Sequence, residues 1–243
     1  MNLPPGTLAL ASQNELFFVW EKATIEAKVI IIVLGIFSIF AWSTMAQKAL
    51  QMRRAKRLNR HFGDEFRNQK NVLGIFDRRL NVEGCPLFSV YQDGCIELDG
   101  ILRRGGESRR PHVSLKSMEH IKRLLEGSVA RESLRLESGL ILLAIAVSGA
   151  PFLGLLGTVW GVMSAFSGIA SAAAKGGRAD LAAMAPGVAA ALITTVAGLL
   201  VAIPSMFGYN WLVHHLRVLT VELDNFAQSL VSRMETEFLR EDE

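Results

Sequence analysis

Two long stretches of this 243-residue chain contain no Asp, Glu, Lys or Arg: Ser138 to Ala174 and Leu181 to Leu216. A fifth of the chain is charged overall, so the gaps are not a matter of general composition. Each exceeds the roughly 20 apolar residues that cover a bilayer core. A third uncharged run, Val29 to Ala46, is close to the minimum length. These absences argue against a soluble domain with one large core and predict three spanning helices.

Other shortages exclude chemistry. There are two cysteines, Cys85 and Cys95, with no CxxC and no histidine at ligand spacing, so neither a metal site nor a disulfide framework is expected. On the cytoplasmic side both should be reduced thiols packed among apolar neighbours. Of the five histidines, His61, His112 and His120 are scattered, and His214 with His215 falls where the third span ends, a position at which polar aromatic rings anchor. The glycines from Gly154 to Gly161 lack the Lys and Ser/Thr of a phosphate-binding loop and are flanked by lipid-grade residues, so nucleotide hydrolysis has no support. The chain is read as a non-enzyme without cofactor. No basic n-region or small-residue cleavage site precedes Val29, so the first run is expected to stay as an uncleaved anchor.

Charge sets the expected orientation. Lys48, Arg53, Arg54, Lys56, Arg57 and Arg60 crowd the far side of the first run, against only Lys22 and Lys28 before it. Basic residues are retained in the cytoplasm. The expected arrangement is therefore an outer segment 1–28, a span 29–46, an inner helical domain 47–137, and a span with flanks 138–174. A short outer turn 175–180 follows, despite Lys175 and Arg178, then a span 181–212 and an inner C-terminal helix 213–243. The inner domain holds 19 Lys/Arg and 12 Asp/Glu. Juxtamembrane basic residues of this kind fix topology and touch lipid headgroups; no aromatic-interleaved basic motif accompanies them, so no nucleic-acid partner is expected.

Within the inner domain, Leu87, Tyr91, Leu98 and Ile101 recur at helical spacing. So do Leu115, Met118, Ile121 and Leu125 after a cap at Ser114. Breaks are predicted near Gly74, at Gly84 to Pro86 and at Gly105 to Pro111. Nothing strong interrupts the helix from Leu115 before Gly139, which leaves it free to run on into the second span.

What the spans do contain is small residues in rows. On the second, Gly154, Thr158, Gly161, Ala165, Gly168 and Ala172 are spaced 4, 3, 4, 3, 4, the seam of a close helix pair. On the third, Gly187, Ala191, Thr194, Gly198, Ala202 and Ser205 form a comparable set, and Gly157, Pro186 and Pro204 complete the expected packing residues. Lipid does not reward burial of such faces as water does, so their gain is close van der Waals packing. Three spans enclose little alone. The expected fold is an all-α homo-oligomer whose second and third helices form an inner layer, with the bulkier first helix outside. Thr158 and Thr195 then have two readings: each hydroxyl bonds back to a carbonyl of its own helix, or the pair repeats around the oligomer as rings lining a polar lumen.

The stretches "PFLGLLGTVWGVMSAF" (151–166) and "APGVAAALITTVAGLLVAIPSMFGYN" (185–210) resemble the two signature stretches of the TolQ/ExbB/MotA family of proton-channel subunits. The large inner segment between the first and second spans is similar to the TolQ and ExbB branch. "FSIFAWSTMAQKAL" and "ELDNFAQSLVSRM" lean towards TolQ. The resemblance implies a bacterial inner-membrane protein, a pentamer around a dimer of a TolR- or ExbD-like single-span partner whose aspartate carries protons, and work passed to periplasmic machinery through a TolA- or TonB-like protein. It places polar pore residues at Thr158 and Thr195, with Thr194 an extra hydroxyl. It also marks a departure: the family's usual glutamate, five residues before the second threonine, is here Ala190. A Tol-type role is the leading expectation. The alternatives are an ExbB-type energiser of nutrient uptake, a motility subunit, a passive scaffold and, least favoured for want of an inverted repeat, a solute transporter.

Overall fold

The computed structural model describes residues 24–103, 112–174 and 184–239; the segments 1–23, 104–111, 175–183 and 240–243 lie outside it, and with them the outer turn at 175–180 and the break expected at Gly105 to Pro111. The described residues form five helices and no strand: α1 (Ile25–Asn68), α2 (Pro86–Leu102), α3 (Leu115–Glu137), α4 (Leu140–Ala174) and α5 (Ala185–Phe238), with two 3-10 turns, Val72–Gly74 and Phe76–Arg78, after α1. Helices α1 and α5 run to 44 and 54 residues. At about 1.5 Å per residue each is far longer than the roughly 30 Å core of a bilayer. The third span and the C-terminal helix expected after it are thus one element.

Two compact units divide the chain, one of residues 1–45 and 139–209, the other of 46–138 and 210–243. The first carries the apolar spans. Three helices, Ile25–Asn68, Leu140–Ala174 and Gly187–Phe238, are long and apolar enough to cross a membrane, with mean hydropathy of 2.3, 2.3 and 2.1 in their most apolar windows. Only 17, 33 and 28% of those windows is buried. Residues such as Ile39, Phe40, Phe152, Phe166, Leu200 and Phe207 face outward, a surface that water would penalise and that lipid or further protein must cover. The buried part is narrow: Ile30 and Leu34 pack with Ala150, Ala202 and Leu153.

The second unit is held by ordinary side-chain packing. Phe62, Phe66, Phe88, Tyr91 and Phe226 form an aromatic cluster, with Phe62 edge-on to Phe88 at 5.5 Å and Phe66 to Phe226 at 5.1 Å. Tyr91 donates its hydroxyl to the Val72 carbonyl (2.6 Å) and accepts the Phe76 N–H (3.0 Å), pinning both 3-10 turns. Its burial pushes the phenol above its ordinary pKa, so it stays a donor. Helix α2 starts where Gly84, at φ +82°, lets the chain turn and Pro86 fills the first helical turn. Ser114 caps α3 by accepting the Ser117 N–H at 3.3 Å. Leu87, Tyr91, Leu98, Met118, Ile121 and Leu125 are buried, whereas Leu115 is exposed.

Helix α3 does not run on into α4. Ser138 leaves helical geometry (ψ 135°) and Gly139 takes φ +84°, a conformation that glycine adopts without strain. The buried Lys48 sits at this end: its ammonium donates to the Leu136 carbonyl (3.3 Å), the Ser138 hydroxyl (3.4 Å) and Gln51 (3.0 Å). A cation at the C-terminus of a helix answers carbonyls that have no partner within the helix.

A second basic residue closes α1. Arg233 donates to the Phe66 (2.8 Å) and Gln69 (2.5 Å) carbonyls and lies 4.5 Å over the Phe66 ring. One turn later Glu237 accepts the Val72 N–H at 2.8 Å. Arg233→Ala removes two charge-assisted bonds, each worth up to about 1.5–3 kcal/mol. Limited trypsin digestion of the full-length protein in detergent should then show faster cleavage at Lys70, Arg78 and Arg79 than in the parent protein.

Candidate functional site

The site is built on the contact between α4 and α5, and glycine decides how close they come. A Cβ on Gly154 would stand 2.9 Å from the Thr194 carbonyl and 3.0 Å from the Thr195 Cα; one on Gly161 would stand 2.6 Å from the Ala191 Cβ. On the facing helix, a Cβ on Gly198 would be 2.6 Å from the Ala150 carbonyl and one on Gly187 would be 3.0 Å from the Ala165 Cβ. Gly157 is filled by the Thr194 side chain. No larger residue fits these places without separating the backbones.

The row on α5 is continuous: Ala191, Thr194, Gly198, Ala202 and Ser205 are buried and Gly187 half-buried. On α4 the buried row is Gly154, Gly157 and Gly161. Thr158, expected in that row, stands one residue off it and is half-buried; Gly168 is exposed with nothing within 4 Å of a Cβ, and Ala172 is exposed. Both rows suit a helix, and which one meets α5 depends on the crossing. Pro204 lies inside α5 and is half-buried; the side chain of Pro186 lies outside the described residues.

Three hydroxyls converge here. Thr195 donates to the Gly154 carbonyl at 3.1 Å. Thr194, 0% exposed, donates to the Ala191 carbonyl at 2.6 Å and lies 3.2 Å from the Gly154 carbonyl. Thr158 donates to the Leu155 carbonyl of its own helix at 2.7 Å. Thr194, expected beside Thr195 on a pore wall, is instead covered completely by α4 of the same chain, its side chain filling the place of a Cβ on Gly157. Ala190, at the family's acidic position, is likewise buried, 2% exposed.

Thr158 and Thr195 share a side of this contact, for a geometric reason. Contacts advance from Ala150 to Ala165 on α4 as they recede from Gly198 to Gly187 on α5, so the helices are antiparallel. One residue past the seam turns a side chain by about 100° on either helix, and in an antiparallel pair the two turns carry to the same side. Thr158 follows Gly157, and Thr195 follows Thr194. Leu155, Val162, Leu192 and Leu199 lie on that side within a turn and are exposed, so two hydroxyls sit alone in an apolar strip.

The titratable groups lie elsewhere. Cys85 and Cys95 are buried, and burial pushes the Cys85 thiol above its usual pKa. Among the described residues no three His, Cys, Asp or Glu side chains converge as metal ligands would. His215 stacks on Trp211 with ring centres 4.1 Å apart. The helix-end contacts of Lys48 and Arg233 had no signal in the sequence beyond their charge.

A model of the MotA/TolQ/ExbB proton channel family matches residues 97–225. The chain is 34% identical over 205 residues to the biopolymer transport protein ExbB of Pseudomonas putida, covering 84% of this chain and 58% of that protein. It is 32% identical over 191 residues to the Tol-Pal system protein TolQ of Pseudomonas aeruginosa, covering 78% and 79%. To TolQ of Haemophilus influenzae it is 32% identical over 207 residues, covering 84% and 85%.

Gly157→Ala should therefore separate α4 from α5 and cost about 1–3 kcal/mol. Gly168→Ala, in open space, should leave stability unchanged or raise it by up to about 1 kcal/mol through helix propensity. Thermal unfolding of the two variants in the same detergent compares them directly.

Proposed function

We propose, from the premise that this chain belongs to the MotA/TolQ/ExbB proton channel family, that it is the ring-forming subunit of an inner-membrane motor driven by the proton-motive force. In this reading five copies surround a dimer of a TolR- or ExbD-like single-span protein. The partner supplies the acid, and the work passes to periplasmic or outer-membrane machinery through a TolA- or TonB-like protein. The N-terminus is periplasmic and the C-terminus cytoplasmic, with residues 47–137 inside, in keeping with the basic cluster after the first span.

One observation carries the reading. Thr158 and Thr195 lie half-open on the same side of the α4–α5 contact, in a strip otherwise apolar. A charged side chain at mid-membrane costs about 2.5–3.5 kcal/mol on insertion scales. No Asp or Glu occurs from Ser138 to Ala174 or from Leu181 to Leu216, so this wall brings no carboxylate of its own. The hydroxyls are then the polar groups available to a foreign acid. The driving term is about 2.3 kcal/mol per proton per 100 mV, so a few protons suffice for a mechanical step.

A Tol-type role is favoured by "FSIFAWSTMAQKAL" and "ELDNFAQSLVSRM". An ExbB-type role is the second reading, since the ExbB and TolQ relatives stand at 34 and 32% identity. Co-purification with the products of neighbouring genes separates the two. Thr158→Val and Thr195→Val should each leave oligomer and partner binding detectable and abolish partner-dependent proton flux in reconstituted vesicles. Undiminished flux in both would remove the pore assignment and leave a passive scaffold.

A further inference from the structure

The hydroxyls of the candidate pore have a direction. A threonine hydroxyl owns one hydrogen and two lone pairs. The Thr158 hydrogen is committed to the Leu155 carbonyl at 2.7 Å, and the Thr195 hydrogen to the Gly154 carbonyl at 3.1 Å. With its hydrogen committed, each oxygen can only accept a further bond.

Thr195 bonds across the contact, whereas a helical threonine ordinarily donates to a carbonyl three or four residues back. Its neighbour Thr194 does the ordinary thing, donating to the Ala191 carbonyl at 2.6 Å, and its approach to the Gly154 carbonyl is longer, 3.2 Å against 3.1 Å for Thr195. The Thr195 hydroxyl fastens α5 to α4, and its lone pairs remain for whatever reaches the open side.

We propose that Thr158 and Thr195 act as hydrogen-bond acceptors, so that the site selects the protonated, neutral form of the partner's carboxyl group over the carboxylate. This rests on the channel reading above. A protonated carboxyl brings the O–H that these oxygens lack. An ionised one sets its lone pairs against theirs, and is accommodated only if a hydroxyl leaves its carbonyl or the acid leaves the threonines. For Thr195 the first course undoes a bond between α4 and α5, which links the protonation state of the acid to the fastening of the two helices.

The test uses the complex co-purified with its single-span partner, the partner carrying a fluorescent label, in nanodiscs at acidic and at alkaline pH. Thr195→Val should speed partner dissociation at acidic pH about fivefold, the size of one net hydrogen bond, and leave the alkaline rate as it is. Thr195→Ser should restore the acidic rate. With the partner's acid changed to Asn, a neutral donor at every pH, the Thr195→Val effect should be present at both. A loss confined to alkaline pH means that the hydroxyl donates to a carboxylate, and overturns the proposal. So does the absence of any change at either pH. In both cases a proton flux that still depends on Thr158 and Thr195 keeps the channel reading standing. If no single-span partner co-purifies, the channel reading fails first and this proposal with it.

Discussion

The approach of α4 to α5 at Gly154 and Gly198 is the constraint from which the rest of the apolar unit follows. In lipid there is no hydrophobic gain from bringing two helices together, so the contact must be earned by proximity and by polar bonds. Here a Cβ on Gly198 would meet the Ala150 carbonyl at 2.6 Å, and the Gly154 carbonyl takes the Thr195 hydroxyl. Both attractions vanish together if the backbones separate. The same proximity, in an antiparallel pair, brings Thr158 and Thr195 to one side.

The other unit answers to a different solvent. Its aromatic cluster around Phe62 and Phe66 and its buried leucines are what water drives together. Polar groups there serve as terminators. Lys48 ends α3, Arg233 ends α1, and Glu237 receives the first N–H of the turn that follows. Each puts a charge where a helix leaves backbone groups unpaired. In the apolar unit hydroxyls on carbonyls do comparable work, as at Thr158, Thr194 and Thr195.

In the proposed reading, channel function and the absence of any Asp or Glu from the two long apolar stretches are compatible because the two tasks fall to different chains. A wall of hydroxyls and leucines is inexpensive to keep in a membrane, whereas an acid is costly unless it can be neutral. On that reading, an acid carried by the partner would leave this chain's apolar helices to be built for packing alone. Ala190 fits that division: its methyl is buried, a place where an ionised group would be costly unless paired.

The second and third spans were legible because a missing charge over 36 residues or more has no other economical cause, and the α5 face because Gly187, Ala191, Thr194, Gly198, Ala202 and Ser205 follow a single row that helical geometry alone defines. The α4 face was not. Gly154 belongs equally to a row through Thr158 and to one through Gly157, which differ by about 100°, and only the partner helix selects between them. Nor does charge alone announce that Lys48 and Arg233 cap helices remote in sequence, or that Ser138 and Gly139 part α3 from α4. By itself the sequence determined how many helices cross and which residue types line them, since burial in lipid is a local property of composition. Tertiary structure alone decided which hydroxyls are sealed in and which remain open, since that depends on the crossing of two surfaces.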